Sequence, residues 1–143
     1  MKKLSCSLSI LACVMFIMLA GCENAETVLD LSITSQPVGG ESVDRVSCSF
    51  EGSLEAVGGG MFGSEDTDPV SVSAEWWWED ANNQNDELMN TETFTFSSET
   101  PTTFTTTYTA GTGYILLNYY WVKLQWTDGE GTHTLESGKA FCQ

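Results

Sequence analysis

Apolar and polar side chains alternate with a period of two through most of the chain after residue 27. The clearest case is Val70, Val72, Ala74, Trp76 and Trp78, where five apolar residues fall on every second position. Such spacing puts one face of a strand against a core and the other in solvent. Val46, Cys48 and Phe50 repeat it, as do Phe94 with Phe96 and Phe104 with Tyr108. Seven strands follow from these patterns and from the Gly, Pro, Asn and Asp between them, at residues 28–34, 42–56, 70–78, 89–96, 102–110, 114–126 and 132–142. Residues 81–87, polar and rich in Asn, read as a loop, and Asp128-Gly129-Glu130-Gly131 reads as a hairpin turn.

Two segments need an argument of their own. In 114–126 both faces carry large residues at first, and only Val122, Leu124 and Trp126 continue an inward row, which suits a strand central to its sheet. The threonine-rich stretch 91–112 has the composition of a glycosylated or disordered stalk. Aromatic residues set into it at a period of two favour strands. Several short strands separated by turns predict an all-β sandwich.

The first 21 residues follow a different rule. Lys2 and Lys3 precede an apolar run over 8–20, and the small residues Ala20 and Gly21 precede Cys22. That order describes a secretory signal with a cleavage site. A membrane-spanning helix needs about 20 unbroken apolar residues, and Ser5, Ser7 and Ser9 interrupt this run. Leu19-Ala20-Gly21-Cys22 resembles the lipobox of bacterial lipoproteins. The resemblance implies cleavage before Cys22 and a diacylglyceryl thioether on its sulfur, with acylation of the new amino group. Two or more chains hold a protein stably on a bilayer. The expected organisation is a signal peptide at 1–21, a lipidated tether at 22–27 and one domain at 28–143, fixed to a cell-envelope membrane through Cys22, with its body in the periplasm or at the cell surface.

Export changes the reading of the thiols and of the charge. Cys6 and Cys13 leave with the signal, so Cys48 and Cys142 are the cysteines of the folded part. In an oxidising compartment two such residues most often pair. A loop of 94 positions closed by that bond adds about 4 to 5 kcal/mol in the chain-entropy model. The alternative is two buried free thiols. Cleavage also removes Lys2 and Lys3 but no carboxylate, leaving three cations, Arg45, Lys123 and Lys139, against 20 acids and a net charge of −17. Such a surface repels phosphate backbones and anionic lipid, so nucleic acid is not an expected partner.

No catalytic set assembles from the sequence. The single histidine, His133, sits beside the Asp-Gly turn, where a solvated ring is the expectation, and no Gly-x-Ser-x-Gly elbow offers a nucleophile. Zinc sites draw on several Cys and His ligands, and too few are present. Among 20 carboxylates a close pair arises by chance, so paired acids point to nothing. The acidic stretch 79–87 lacks the ligand order of an EF-hand and reads as a solvated loop. Neither metal nor cofactor is expected.

The aromatic surplus is the more telling feature. If Trp76 and Trp78 face the core, Trp77 faces outward, and if Val122, Leu124 and Trp126 face inward, Tyr119 and Trp121 point out as well. With the two strands adjacent, Trp77, Tyr119 and Trp121 form one patch, joined on that face by Lys123, Glu75 and Glu79. Exposed patches of this kind bind sugars, peptides or proteins. Alternatively the rings pack on one another or beneath the 58–69 loop.

The succession TFTFSSETPTTFTTTYTAGTGYILLNYYWVKLQWTDGEG, two alternating strands around a polar-Pro turn and then a long strand closed by Asp-Gly, resembles the later strands of CARDB and PKD modules. These are immunoglobulin-like adhesion or spacer domains of prokaryotic surface proteins. The resemblance implies an immunoglobulin-like β-sandwich of about seven strands with a non-catalytic binding or adhesion surface, directed to a glycan or envelope protein. A structural or assembly lipoprotein that docks onto an envelope complex is the alternative, and an enzyme ranks behind both. The second cysteine falls in the final strand, a departure from the antibody pattern.

Overall fold

The computed structural model describes residues 25–59, 66–82, 85–98, 102–109 and 117–143. Eight strands make up the described chain: β1 Glu26–Ser35, β2 Arg45–Val57, β3 Val70–Asp80, β4 Asp86–Phe96, β5 Thr102–Thr109, β6 Asn118–Asp128, β7 Gly131–Glu136 and β8 Ala140–Cys142. One sheet has the order β1-β2-β5, the other β4-β3-β6-β7 with β8 also on β6, and every strand pair is antiparallel. The result is an all-β sandwich of two antiparallel sheets, compatible with an immunoglobulin-like domain. Its fourth strand pairs with the third, whereas in constant-type domains the fourth strand lies in the sheet of the first two.

The period-two rows close the core as expected. Val46, Cys48 and Phe50 from one sheet meet Val70, Val72, Ala74, Trp76, Val122 and Leu124 from the other, all buried. At one end Phe50, Phe94, Phe96 and Phe104 pack together, with Phe50 and Phe94 edge to face at 5.2 Å and Phe96 and Phe104 edge to face at 5.1 Å. Gly52, inside β2, makes room for this cluster: a Cβ there would stand 2.7 Å from the Phe96 ring and 3.0 Å from Leu29 and Leu31. At the other end Tyr108 stacks on Tyr120 at 5.7 Å. The threonines read as strand residues do form strands, and on the outer face they pair across β2 and β5, Ser47 with Thr107 and Ser49 with Thr105, each at 2.8 Å.

Three expectations are corrected. The return strand is two strands, because β6 pairs Lys123 with Glu136 but Tyr120 with Ala140, so one extra residue is inserted at 137–139. The bulge reverses the alternation, and Ala140 and Cys142 turn inward. Ser137 bridges the break, its hydroxyl accepting from Val122 N at 2.9 Å while its own N–H donates to Val122 O. The polar loop is shorter than predicted, since β4 begins at Asp86. The sixth strand starts at Asn118 rather than 114; Leu117 has φ 50° and stands outside it, and 114–116 lie outside the described residues.

The two thiols give a further correction. Cys48 and Cys142 are free and fully buried, not bridged. They belong to opposite sheets and stand at different levels. Cys48 pairs with Thr106, whose hydroxyl reaches Trp76, and Trp76 pairs with Val122 on β6. Cys142 pairs with Asn118, four residues further along β6, or about 13 Å at strand spacing. Burial pushes the Cys48 thiol up to about 11 and raises that of Cys142 as well.

Candidate functional site

The strands run between two distinct ends. At one end lie the start of β1, the end of β2 and the β6–β7 turn, tied together where Gly129 N donates to Thr27 O at 2.8 Å. The other end holds the start of β6, the end of β3, the start of β4 and β8. Among the described residues seven large apolar side chains are exposed, and all but Val57 belong to this second end: Val38, Leu88, Met89, Leu117, Tyr119 and Phe141. Val38 joins them because residues 39–40 run beside β8, with Gly40 bridged to Cys142. Gly39 lies so close that a Cβ would stand 1.9 Å from Phe141 O, which only glycine permits.

The register brings the three predicted rings together on the outer face. Trp77 pairs directly with Trp121, and Tyr119 pairs with Glu79 in the next row. A bulge in β4 after Trp76 sets Leu88 opposite Trp77 and leaves Met89 as the extra residue. Phe141 extends the aromatic row, its ring 5.0 Å from Tyr119.

The three rings are not equally open. Tyr119 is 37% exposed and Phe141 the same, but Trp121 is only 6% exposed and Trp77 half-buried. Lys139, projected from the β7–β8 bulge, covers Trp121 with its ammonium 4.2 Å from the ring centre and donates a short hydrogen bond to Glu79. Trp77 donates to Glu75 at 3.1 Å, and Gln125 donates to the same oxygen at 3.1 Å. The expectation of three exposed rings therefore gives way to an open pair, Tyr119 and Phe141, beside a covered pair. The cover on Trp121 is Lys139, carried by the bulge at 137–139, while residues 60–65 of the 58–69 loop lie outside the described residues. Phe141 was missed because the alternation of 132–142 was extended unbroken across the bulge.

At the first end the polar groups hold one another. Asp128 accepts from Leu29 N at 3.0 Å and Trp126 Nε1 at 3.2 Å through one oxygen, and from Glu130 N and His133 Nε2 at 2.9 Å through the other. Burial opposes its charge, but Leu29 N, His133 and Glu130 N together outweigh that and bring the carboxyl down to about 2. His133 also stacks on Trp126 at 5.1 Å, so it is a pin between hairpin and core where a solvated ring was expected. A shallow cleft of about 370 Å³ beside it is lined by Glu26, Thr27, Asp68 and Asp128, and there Asp68 N donates to Thr27 Oγ1 at 2.8 Å. Among the described residues no three His, Cys, Asp or Glu side chains converge as metal ligands. In the acidic stretch Glu79 bonds Lys139 and Asp80 accepts from Asn82 N at 2.7 Å. The signal segment and Cys22 lie outside the described residues.

No family model and no characterised protein sequence matches the chain. Solved structures with a similar course include a β-glucosidase from Listeria innocua in complex with isofagomine, at TM-score 0.45 and 13% identity over 81% of this chain and 16% of that one. The β-glucosidase from Kluyveromyces marxianus gives TM-score 0.39 and 12% identity over 82% of this chain and 15% of the enzyme. The sporulation control protein Spo0M from Bacillus subtilis gives 0.40 and 8% over 82% of this chain and 49% of its own. The chain thus spans about a sixth of the first enzyme's length.

Proposed function

We propose that the chain is a lipid-anchored cell-envelope protein whose immunoglobulin-like sandwich is a non-catalytic binding or adhesion module. Leu19-Ala20-Gly21-Cys22 supplies the anchor, and β1 begins at Glu26, so the tether is shorter than 22–27. The observation that carries the binding reading is the gathering of Tyr119, Phe141, Leu88 and Leu117, with Val38 and Met89, at one end of the sandwich. Exposed aromatic groups of this density on an acidic, soluble surface cost solubility and are expected where a ligand covers them. The glycan or envelope protein that binds meets Tyr119 and Phe141 first, with Trp77 and Trp121 as their support.

Two experiments test the halves separately. Cys22→Ser should move the protein from the membrane to the soluble fraction; retention on the membrane overturns the anchor. Tyr119→Ala with Phe141→Ala should abolish capture of envelope material in protein that circular dichroism shows to be folded, with a modest fall in the urea midpoint from loss of the cross-strand ring pair. Retained capture overturns the binding face.

A further inference from the structure

Resting on that binding reading, we propose that the aromatic end of β3, β6 and β8 docks a cationic protein surface, lysine and arginine side chains around an apolar centre. The face already holds one cation in this way. The Lys139 ammonium lies between the Trp121 ring and the Glu79 carboxylate, so aromatic face and acid act as a pair toward an ammonium group. The same row continues outward: Glu79 pairs with Asp86 on one side and with Tyr119 on the other, so Asp86 shares this face, whereas Glu87 and Asp80 belong to the opposite one. Asp86 is exposed, and Leu88, two residues further along β4, stands on the same face. An apolar centre with an acidic rim complements an apolar centre with a basic rim.

Charge also argues against other occupants. A second copy would bring the same acidic rim and a net charge of −15 before processing, and an anionic bilayer would be repelled likewise. The tether sets the direction in which the face is offered. Only three residues separate Cys22 from Glu26, so the four steps between them span at most about 14 Å of extended chain. The start of β1 therefore stays near the bilayer, and Tyr119 lies at the far end of β6, an 11-residue strand spanning about 33 Å. A partner approaches from the side away from the anchoring membrane.

The test is photo-crosslinking in cells that make the full lipidated protein, with benzoylphenylalanine in place of Tyr119 or, as the opposite-end control, of Glu130. Position 119 should yield one adduct whose captured peptide lies on a lysine- and arginine-rich surface, absent from position 130. Asp86→Asn should reduce its yield about threefold, as should raised salt, while Glu87→Gln, on the opposite face, should leave it unchanged. Circular dichroism keeps the comparison to folded protein. An adduct with a glycan, or with an acidic or neutral protein surface, overturns the cationic partner and leaves the binding face standing. Absence of any adduct at 119 overturns both.

Discussion

The indole N–H of Trp76 donates to the hydroxyl of Thr106 at 2.8 Å, across the gap between the two sheets and with both residues fully buried. The same hydroxyl donates to Glu92 at 2.8 Å, so all its hydrogen-bonding partners are supplied by the facing sheet. A polar chain of this kind fixes how the sheets sit on each other, since hydrophobic contact alone tolerates sliding. Thr106→Val keeps the shape and removes both bonds. It should lower stability by about 1 to 3 kcal/mol, because the Trp76 N–H is left buried without an acceptor. Urea unfolding checks this, and an unchanged midpoint would mean that water replaces the hydroxyl.

The strands were legible in the sequence because a half-buried strand prints its own alternation, as in Val70 to Trp78. What was not legible are the places where the alternation breaks. A bulge adds one residue and flips every side chain after it, and the one signal of it in Ser137-Gly138-Lys139 is Gly138, since a glycine inside a strand often marks a bulge. That single residue turned Cys142 inward, Phe141 outward and Lys139 onto Trp121. That Trp77 and Trp121 face outward followed from pattern, whereas the adjacency of β3 and β6 that brings them together followed from assuming a sandwich. Which rings stay open depended on the lysine, and side-chain cover is not a periodic property. The bridge failed for a related reason: compartment and count say that two thiols favour pairing, but register sets their separation.

Gly52 offers a test of how tightly the phenylalanine end is filled. Gly52→Ala places a methyl against Phe96, Leu29 and Leu31, all of which have packed partners behind them. Overpacking of this kind costs about 1 to 3 kcal/mol. The loss should appear as a lower urea midpoint with the same slope. Pairing it with Phe96→Leu, which relieves the contact, should recover part of it.

Asp128 makes stability depend on acid. Its folded value is depressed to about 2, below the ordinary carboxyl range near 3.9. A depressed acid contributes stability that is fully present above the unfolded value and is lost as pH falls through the folded one. The window is therefore from about pH 4 down to about pH 2. Wild type should exceed Asp128→Asn in stability at pH 6, and the difference should shrink steadily across that window. A gap that is flat from pH 6 to pH 2 would show that ionisation of Asp128 contributes nothing to stability.

The thiols give the last prediction. A raised thiol value means little thiolate at neutral pH, and burial in both sheets denies reagents access, so Cys48 and Cys142 should be unreactive while the sandwich is closed. In a soluble form carrying Cys22→Ser without the signal, a disulfide-exchange reagent should find no thiol in native buffer and two in urea. Over longer times in native buffer the Cys48 thiol should appear at the rate of global unfolding, because β2 is the central strand of its sheet and Cys48 emerges only when both β1 and β5 separate from it. Cys142 sits on the three-residue β8, held by β6 and by Gly40, and local opening of that short strand should release it first. Two phases, fast for Cys142 and slow for Cys48, are expected, and Cys142→Ser should remove the fast one. Finding no thiol even in urea would reinstate the bridge and require β8 to shift along β6 by several residues.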